Sequence, residues 1–329
     1  MSVDQQYLRQ LSVVVANTFG EGIEFNQLRC KFRITRGDYQ TPNACDLRIY
    51  NLSTETQNNL ATEEFTTVAI KAGYPGNFGL IFQGSIIQTR KGRVDQKDSY
   101  VDITAGDGDE AYNFAPISAT IPAGAKPGSV AQALLQAFQK IASSQPIAQG
   151  YQPNFPQNGY IRGKVLYGMA RNVCRDFAWA QGCKWSIQDG ALTFIPFTSY
   201  IPGRVPIISP STGLVGVPEQ TQQGLSVRVL LNPNMRVGQC IKLQNTAINQ
   251  LRFGLAPISL ADNLLLQAEL NPSNPQGLYY VMAANHTGDS RGNEWYTDMT
   301  CLAVDATIPP TSAVNALLTP AVAPAIERY

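Results

Sequence analysis

A single histidine, His286, is present in 329 residues, and the six cysteines (Cys30, Cys45, Cys174, Cys183, Cys240, Cys301) are scattered with no C-x-x-C pair. Zinc sites built from Cys and His therefore have no ligand pattern to draw on. A Ser-His or Cys-His catalytic pair would have to use His286, and no G-x-S-x-G elbow presents a serine. The cysteines read as reduced core residues. Charge is also scarce. Only 15% of residues are charged, against about 25% in an average domain, and 25 basic with 24 acidic groups leave a formal net charge of +1. No Lys/Arg cluster tracks a phosphate backbone, which argues against tight nucleic-acid binding. No run approaches the ~20 apolar residues that span a bilayer. Met1-Ser2-Val3-Asp4-Gln5-Gln6 lacks the basic-then-apolar order of a secretory leader, so the chain reads as one made and kept in a cytoplasm.

What is plentiful is uncharged polarity. The 21 Asn and 26 Gln nearly match the 49 charged residues, so much of the surface is expected to be polar without charge. With 44% hydrophobic residues the chain is globular and long enough for two or three domains.

Leu28, Cys30, Phe32 and Ile34 alternate with Arg29, Lys31, Arg33 and Thr35, the pattern of a half-buried antiparallel strand. Further strands are expected over Cys45 to Leu52, Thr67 to Gly73, Leu80 to Arg90 and Tyr100 to Thr104. Ser53 offers an N-cap for a short helix to Leu60, with Gln57 placed to reach back to it. Residues 1 to about 110 read as a small, closed or nearly closed β-barrel. The texture changes near Pro116. One helix capped by Ser129 carries Val130, Ala133, Leu134, Ala137, Phe138 and Ile141 on one face. A second is expected from Lys164 to Gln181, stopping at Gly182, followed by a hairpin turning at Asp189-Gly190. Strands return over Leu225 to Leu231, Gly238 to Gln244, Leu278 to His286 and Asn293 to Val304, enough for a second barrel. An insertion from Asn245 to Gly277 has a short helix expected at Leu260 to Leu270. Beyond Asp305 the chain suits an extended arm that either waves in solvent or lies across a neighbour.

Candidate chemistry is thin. Asp107-Gly108-Asp109-Glu110 clusters carboxylates, but without the spacing of a calcium loop it reads as a turn. Gly73-Tyr74-Pro75-Gly76 and Gly124 to Ser129 lack the order of a phosphate loop and also read as turns. His286 reads as structural. The turn Gly288 to Asn293 with Trp295-Tyr296 is a recognition surface or, more simply, a hairpin followed by a core-facing aromatic strand. No catalytic, metal or cofactor-binding residue is assigned, and no cofactor is expected.

Two segments carry more when taken in order. The first runs Leu47-Arg48-Ile49-Tyr50-Asn51-Leu52-Ser53, Ala69-Ile70-Lys71-Ala72-Gly73-Tyr74, Ile81-Phe82-Gln83-Gly84 and Thr104 to Asp109. The second runs Ser211 to Pro218, Gln223-Gly224-Leu225, Leu230-Leu231-Asn232-Pro233, His286-Thr287-Gly288-Asp289 and Gly292-Asn293-Glu294-Trp295-Tyr296. This succession, spanning most of residues 25 to 305 with no single diagnostic motif, resembles the baseplate hub proteins of contractile-tailed bacteriophages. The resemblance implies a β-rich α+β chain with two tube-like β-barrel domains (1–115 and 201–305), an inserted small α/β module (116–200) and a C-terminal arm (306–329) lying on a neighbouring subunit or the spike. It implies a homotrimeric, non-enzymatic ring in the virion tail baseplate, assembled in the host bacterial cytoplasm. Its partners would be the tail spike, the tail tube or distal tail proteins and the tape-measure protein, with DNA passing through unbound. Two other readings stand beside it. One is a carbohydrate- or peptide-binding β-module of a phage particle, for which three Trp make a sparse platform; the other is a tail-associated peptidoglycan hydrolase.

Overall fold

Alternation builds the first part of the computed structural model, which describes residues 8–304 except 18, 20, 62–64, 142–144, 222–223 and 244–276. Its elements are β1 (Gln10–Ala16), β2 (Gly22–Phe25), β3 (Cys30–Gly37), β4 (Ala44–Tyr50), α1 (Thr54–Ala61), β5 (Thr67–Tyr74), β6 (Asn77–Arg93) and β7 (Ser99–Gly106). In β3, Cys30, Phe32 and Ile34 are buried while Lys31, Arg33 and Thr35 face solvent. Ser53 Oγ accepts the Thr56 N–H at 3.1 Å, as expected of a cap. Gln57 does not reach back to Ser53. Its amide donates to the Leu52 carbonyl at 2.7 Å and to Ser99 Oγ at 3.1 Å, tying α1 to β7. β1 and β2 lie outside the expected strands, although Leu11, Val13 and Val15 alternate.

The middle segment contains α2 (Asp109–Phe114), β8 (Pro116–Ile121), α3 (Pro127–Ile141), β9 (Ala148–Gln149), β10 (Lys164–Met169), α4 (Ala170–Ala180), β11 (Cys183–Gln188) and β12 (Ala191–Pro196). It departs from expectation in two places. α3 starts at Pro127, whose fixed φ suits a first helical turn, so Ser129 lies inside the helix rather than capping it. The helix expected over Lys164 to Gln181 is a strand followed by a helix. β10 pairs with β8, Val165 opposite Thr120 and Tyr167 opposite Ser118. Val165 and Tyr167 favour extended backbone, and Gly168 has φ 120°, outside any helix. Gly182 (φ 64°) ends α4 and Asp189-Gly190 (φ 53° and 72°) turns the hairpin, both as the sequence implies. Val130, Leu134, Phe138, Phe177 and Trp185 share the core of this segment.

The last part holds β13 (Ile207–Ile208), a 3-10 turn at Pro210–Thr212, β14 (Glu219–Thr221), β15 (Gly224–Leu230), β16 (Cys240–Leu243), β17 (Leu278–Asp289) and β18 (Trp295–Ala303). The helix expected at Leu260 to Leu270 and the arm from 306 fall outside the described residues.

One 13-stranded sheet runs through both β-rich parts in the order β14-β15-β18-β17-β3-β4-β7-β6-β5-β1-β2, with β16 on β17 and β13 on β16. The fold is β-rich α+β. The strands form two halves joined at β17, whose first residues pair with β16 and whose Ala283–Asp289 stretch pairs with β3. Among the described residues the pairing ends at β2, β13 and β14, so hydrogen bonds do not close the sheet. Each half lies over its own apolar core, and Leu231 and Trp295 from the second half insert into the first half's core.

Candidate functional site

In a chain so poor in charge, the buried Arg36, Asp38 and Asp107 mark one place, where β3, the end of β7, β17 and the β11–β12 hairpin meet. The alternation of β3 continues past Ile34 with Arg36 and Asp38 on the inward side, 3% and 7% exposed. Asp107, one residue past β7 and 2% exposed, receives four donors. Its Oδ1 accepts the Gly190 N–H at 2.7 Å and the Gln145 amide at 3.1 Å; its Oδ2 accepts the Asp189 N–H at 2.6 Å and the Asn43 amide at 3.2 Å. Arg36 donates to Asp189 Oδ2 at 2.8 Å. Asp38 accepts from Lys184 Nζ at 2.6 Å and from the Tyr280 hydroxyl at 2.8 Å. The tight turn at Asp189-Gly190 serves this cluster by aiming two consecutive N–H groups at one carboxylate.

Burial, and then the charge of Asp189, push the Asp107 carboxyl up to about 6, against the Gly190 N–H, Arg36 and Gln145, which favour its charged form. His286, on β17, is wholly buried with Nδ1 2.9 Å from Thr297 Oγ1. Burial, with Arg36 adding to it, pushes the imidazole down to about 3, so it is neutral at pH 7. The donors around Asp107 leave its carboxylate no room for a substrate. Its role is mechanical: it fastens the hairpin of the middle segment to the strands.

The acidic run read as a turn is thus divided. Asp107 is a buried acceptor, Gly108 (φ 70°) makes the turn, and Asp109 and Glu110 open α2, with Asp109 Oδ1 accepting the Asn113 amide at 2.9 Å. Among the described residues no three His, Cys, Asp or Glu side chains group closely enough to hold a metal ion. All six cysteines are free and buried, and burial raises the thiols, that of Cys30 to about 12. Gly73 to Gly76 turns between β5 and β6, and Gly124 to Ser129 leads into α3.

A second polar knot lies at the β17–β18 turn. Arg29 grips Asp289 with two hydrogen bonds (2.7 and 3.2 Å) and, ahead of other causes, holds its carboxyl below the usual carboxylate range. Trp295 is buried edge-on to Phe32, centroids 5.5 Å apart, with the Arg9 guanidinium 5.5 Å over its ring. This places Trp295 in the core and leaves Tyr296 half-buried. Sequence reasoning did not single out Arg36, Asp38, Asn43, Gln145 or Asp189 as a group. The available signal was a charge at each of the two inward positions that follow Ile34.

No protein-family model matches the chain, and no curated protein sequence does. Solved structures do match. A 43 kDa tail protein of prophage MuSo2 from Shewanella oneidensis aligns at 8% identity and TM-score 0.56, over 92% of this chain and 99% of that one. A tail protein from Neisseria meningitidis MC58 aligns at 10% identity and TM-score 0.54, over 92% and 100%. An E. coli type VI secretion system component, itself described as structurally similar to the T4 bacteriophage tail proteins gp27 and gp5, aligns at 9% identity and TM-score 0.51, over 88% and 78%. The chain has the fold of phage tail proteins. That class agrees with the resemblance to baseplate hub proteins read from the order of its sequence segments.

Proposed function

We infer that the chain is a structural subunit of a contractile-tail baseplate hub. Three copies close into a ring that adapts the sixfold tail tube to the threefold spike and gives passage to the tape-measure protein and then DNA. In each copy, residues 1–115 and 201–305 supply the two tube-like parts and 116–200 the attached α/β module. The observation that carries this reading is the end-to-end agreement of fold with two tail proteins, over 92% of this chain and 99% and 100% of theirs. The Asp107 joint supports it, because a ring under mechanical stress needs its module fixed to its strands. The net charge of +1 supports it too, since a conduit that neutralised many phosphates would retain DNA rather than pass it. In this reading the chain performs no catalysis and resides in the virion tail baseplate after assembly in the host cytoplasm. Light scattering of the full chain after size exclusion tests the oligomer. Three times the chain mass is expected; a monomer at micromolar concentration would contradict the ring.

A further inference from the structure

Residues directly opposite one another in antiparallel strands share a face, and the register of the common sheet shows one face crossing from one half to the other. Tyr296, Thr287, Arg33, Asp46, Thr104 and Gln88 stand opposite one another in turn across β18, β17, β3, β4, β7 and β6. All six are exposed or half-exposed and none is aliphatic. The adjacent row on the other face (Thr297, His286, Ile34, Cys45, Ala105) is buried. The open face therefore spans both halves of the molecule.

Two of its arginines, one in each half, are engaged in the same way. Arg48 on β4 makes two bonds to Asp102 on β7 (2.7 and 2.9 Å) and lies 4.0 Å over the Tyr100 ring. Arg228 on β15 makes two bonds to Asp298 on β18 (2.6 and 3.1 Å) and lies 5.4 Å over the Tyr296 ring. In both halves a Tyr-x-Asp strand meets an arginine directly opposite the aspartate. A carboxylate that occupies the guanidinium fork blocks the geometry by which arginine grips phosphate.

We propose that this face is the wall of the ring's bore, where Asp102 and Asp298 keep Arg48 and Arg228 from holding a polyanion in passage. This rests on the hub reading, and the two are tested separately. The first measurement is binding of a short labelled DNA duplex to the full chain. Asp102→Asn with Asp298→Asn is expected to raise affinity at least about tenfold at low salt, with an added salt slope of roughly −1.8 or steeper, about −0.9 for each of Arg48 and Arg228, with Arg90, 3.7 Å from Asp102, adding to it. Asp95→Asn with Glu55→Gln changes net charge equally elsewhere without freeing an arginine, and is expected to gain nothing. Thr35→Lys with Ser226→Lys adds cations to the same face without breaking a pair, and is expected to gain affinity even if the first variant folds poorly. No gain in the Asn variant where the Lys variant gains, or an equal gain in the control, would overturn the masking; no gain in the Lys variant would overturn the face's exposure to a passing polyanion.

The second measurement places the face. Spin labels at Arg33→Cys, with the native cysteines buried, are expected to give shorter intersubunit distances in the oligomer than labels at Asp176→Cys on α4. Longer distances would overturn the bore assignment and leave the ring standing. A monomer, with no intersubunit distance at all, would overturn the hub reading whatever the DNA result.

Discussion

Asp107→Ala is expected to lower the unfolding free energy by about 3–5 kcal/mol at low pH, the cost of leaving buried donors without their acceptor. Four donors lose their partner: the N–H groups of Asp189 and Gly190 and the amides of Gln145 and Asn43. The effect depends on pH, with a definite sign. The folded-state carboxyl of Asp107 is raised to about 6 from 3.8. Its protonated form is thus favoured by the fold, and its contribution is fully present below about 4 and declines as pH rises through about 6. The decline amounts to about 3 kcal/mol across that range, since a tenfold change in proton affinity is worth about 1.36 kcal/mol. Urea midpoints of the parent chain and variant between pH 4 and 7 check this. The gap between them is expected to be widest near pH 4 and to narrow toward pH 7, whereas a gap independent of pH would show that Asp107 does not titrate in the joint.

Trp295→Ala is expected to cost about 3–5 kcal/mol, as for other buried tryptophans cut to alanine, and to loosen the two halves from each other. Trp295 belongs to β18 in the second half but fills the first half's core beside Phe32. A Cβ at Gly288 would collide with the Phe32 ring and come within 2.8 Å of Trp295, so the packing there leaves little slack. Trp295→Phe keeps an aromatic ring and most of the volume, and is expected to lose less than half as much. The readouts are the urea midpoint and the cooperativity of unfolding. Cooperative unfolding at an unchanged midpoint would mean that Trp295 does not couple the halves.

The parts of this fold that the sequence made legible are those set by local pattern. The alternation from Cys30 to Ile34, the left-handed glycine after α4 and the Asp189-Gly190 turn each follow from a few neighbouring residues. What it concealed depends on distant partners. Lys164 to Met169 has apolar residues at helical spacing from those of α4, and only its pairing with β8, far earlier in the chain, makes it a strand. The joint was hidden for the same reason. Asp107 looks like a turn aspartate until the hairpin at 189–190 is brought against it, and Gln145 is one glutamine in a polar loop until it donates to that carboxylate. The sharing of β17 between two halves, which joins them in one sheet, is likewise a matter of long-range register.

Electron-microscopic class averages of the purified oligomer test the hub directly. The account predicts an annulus of three copies with six lobes around an open channel. Solitary particles, or an assembly with no channel along its axis, would contradict it.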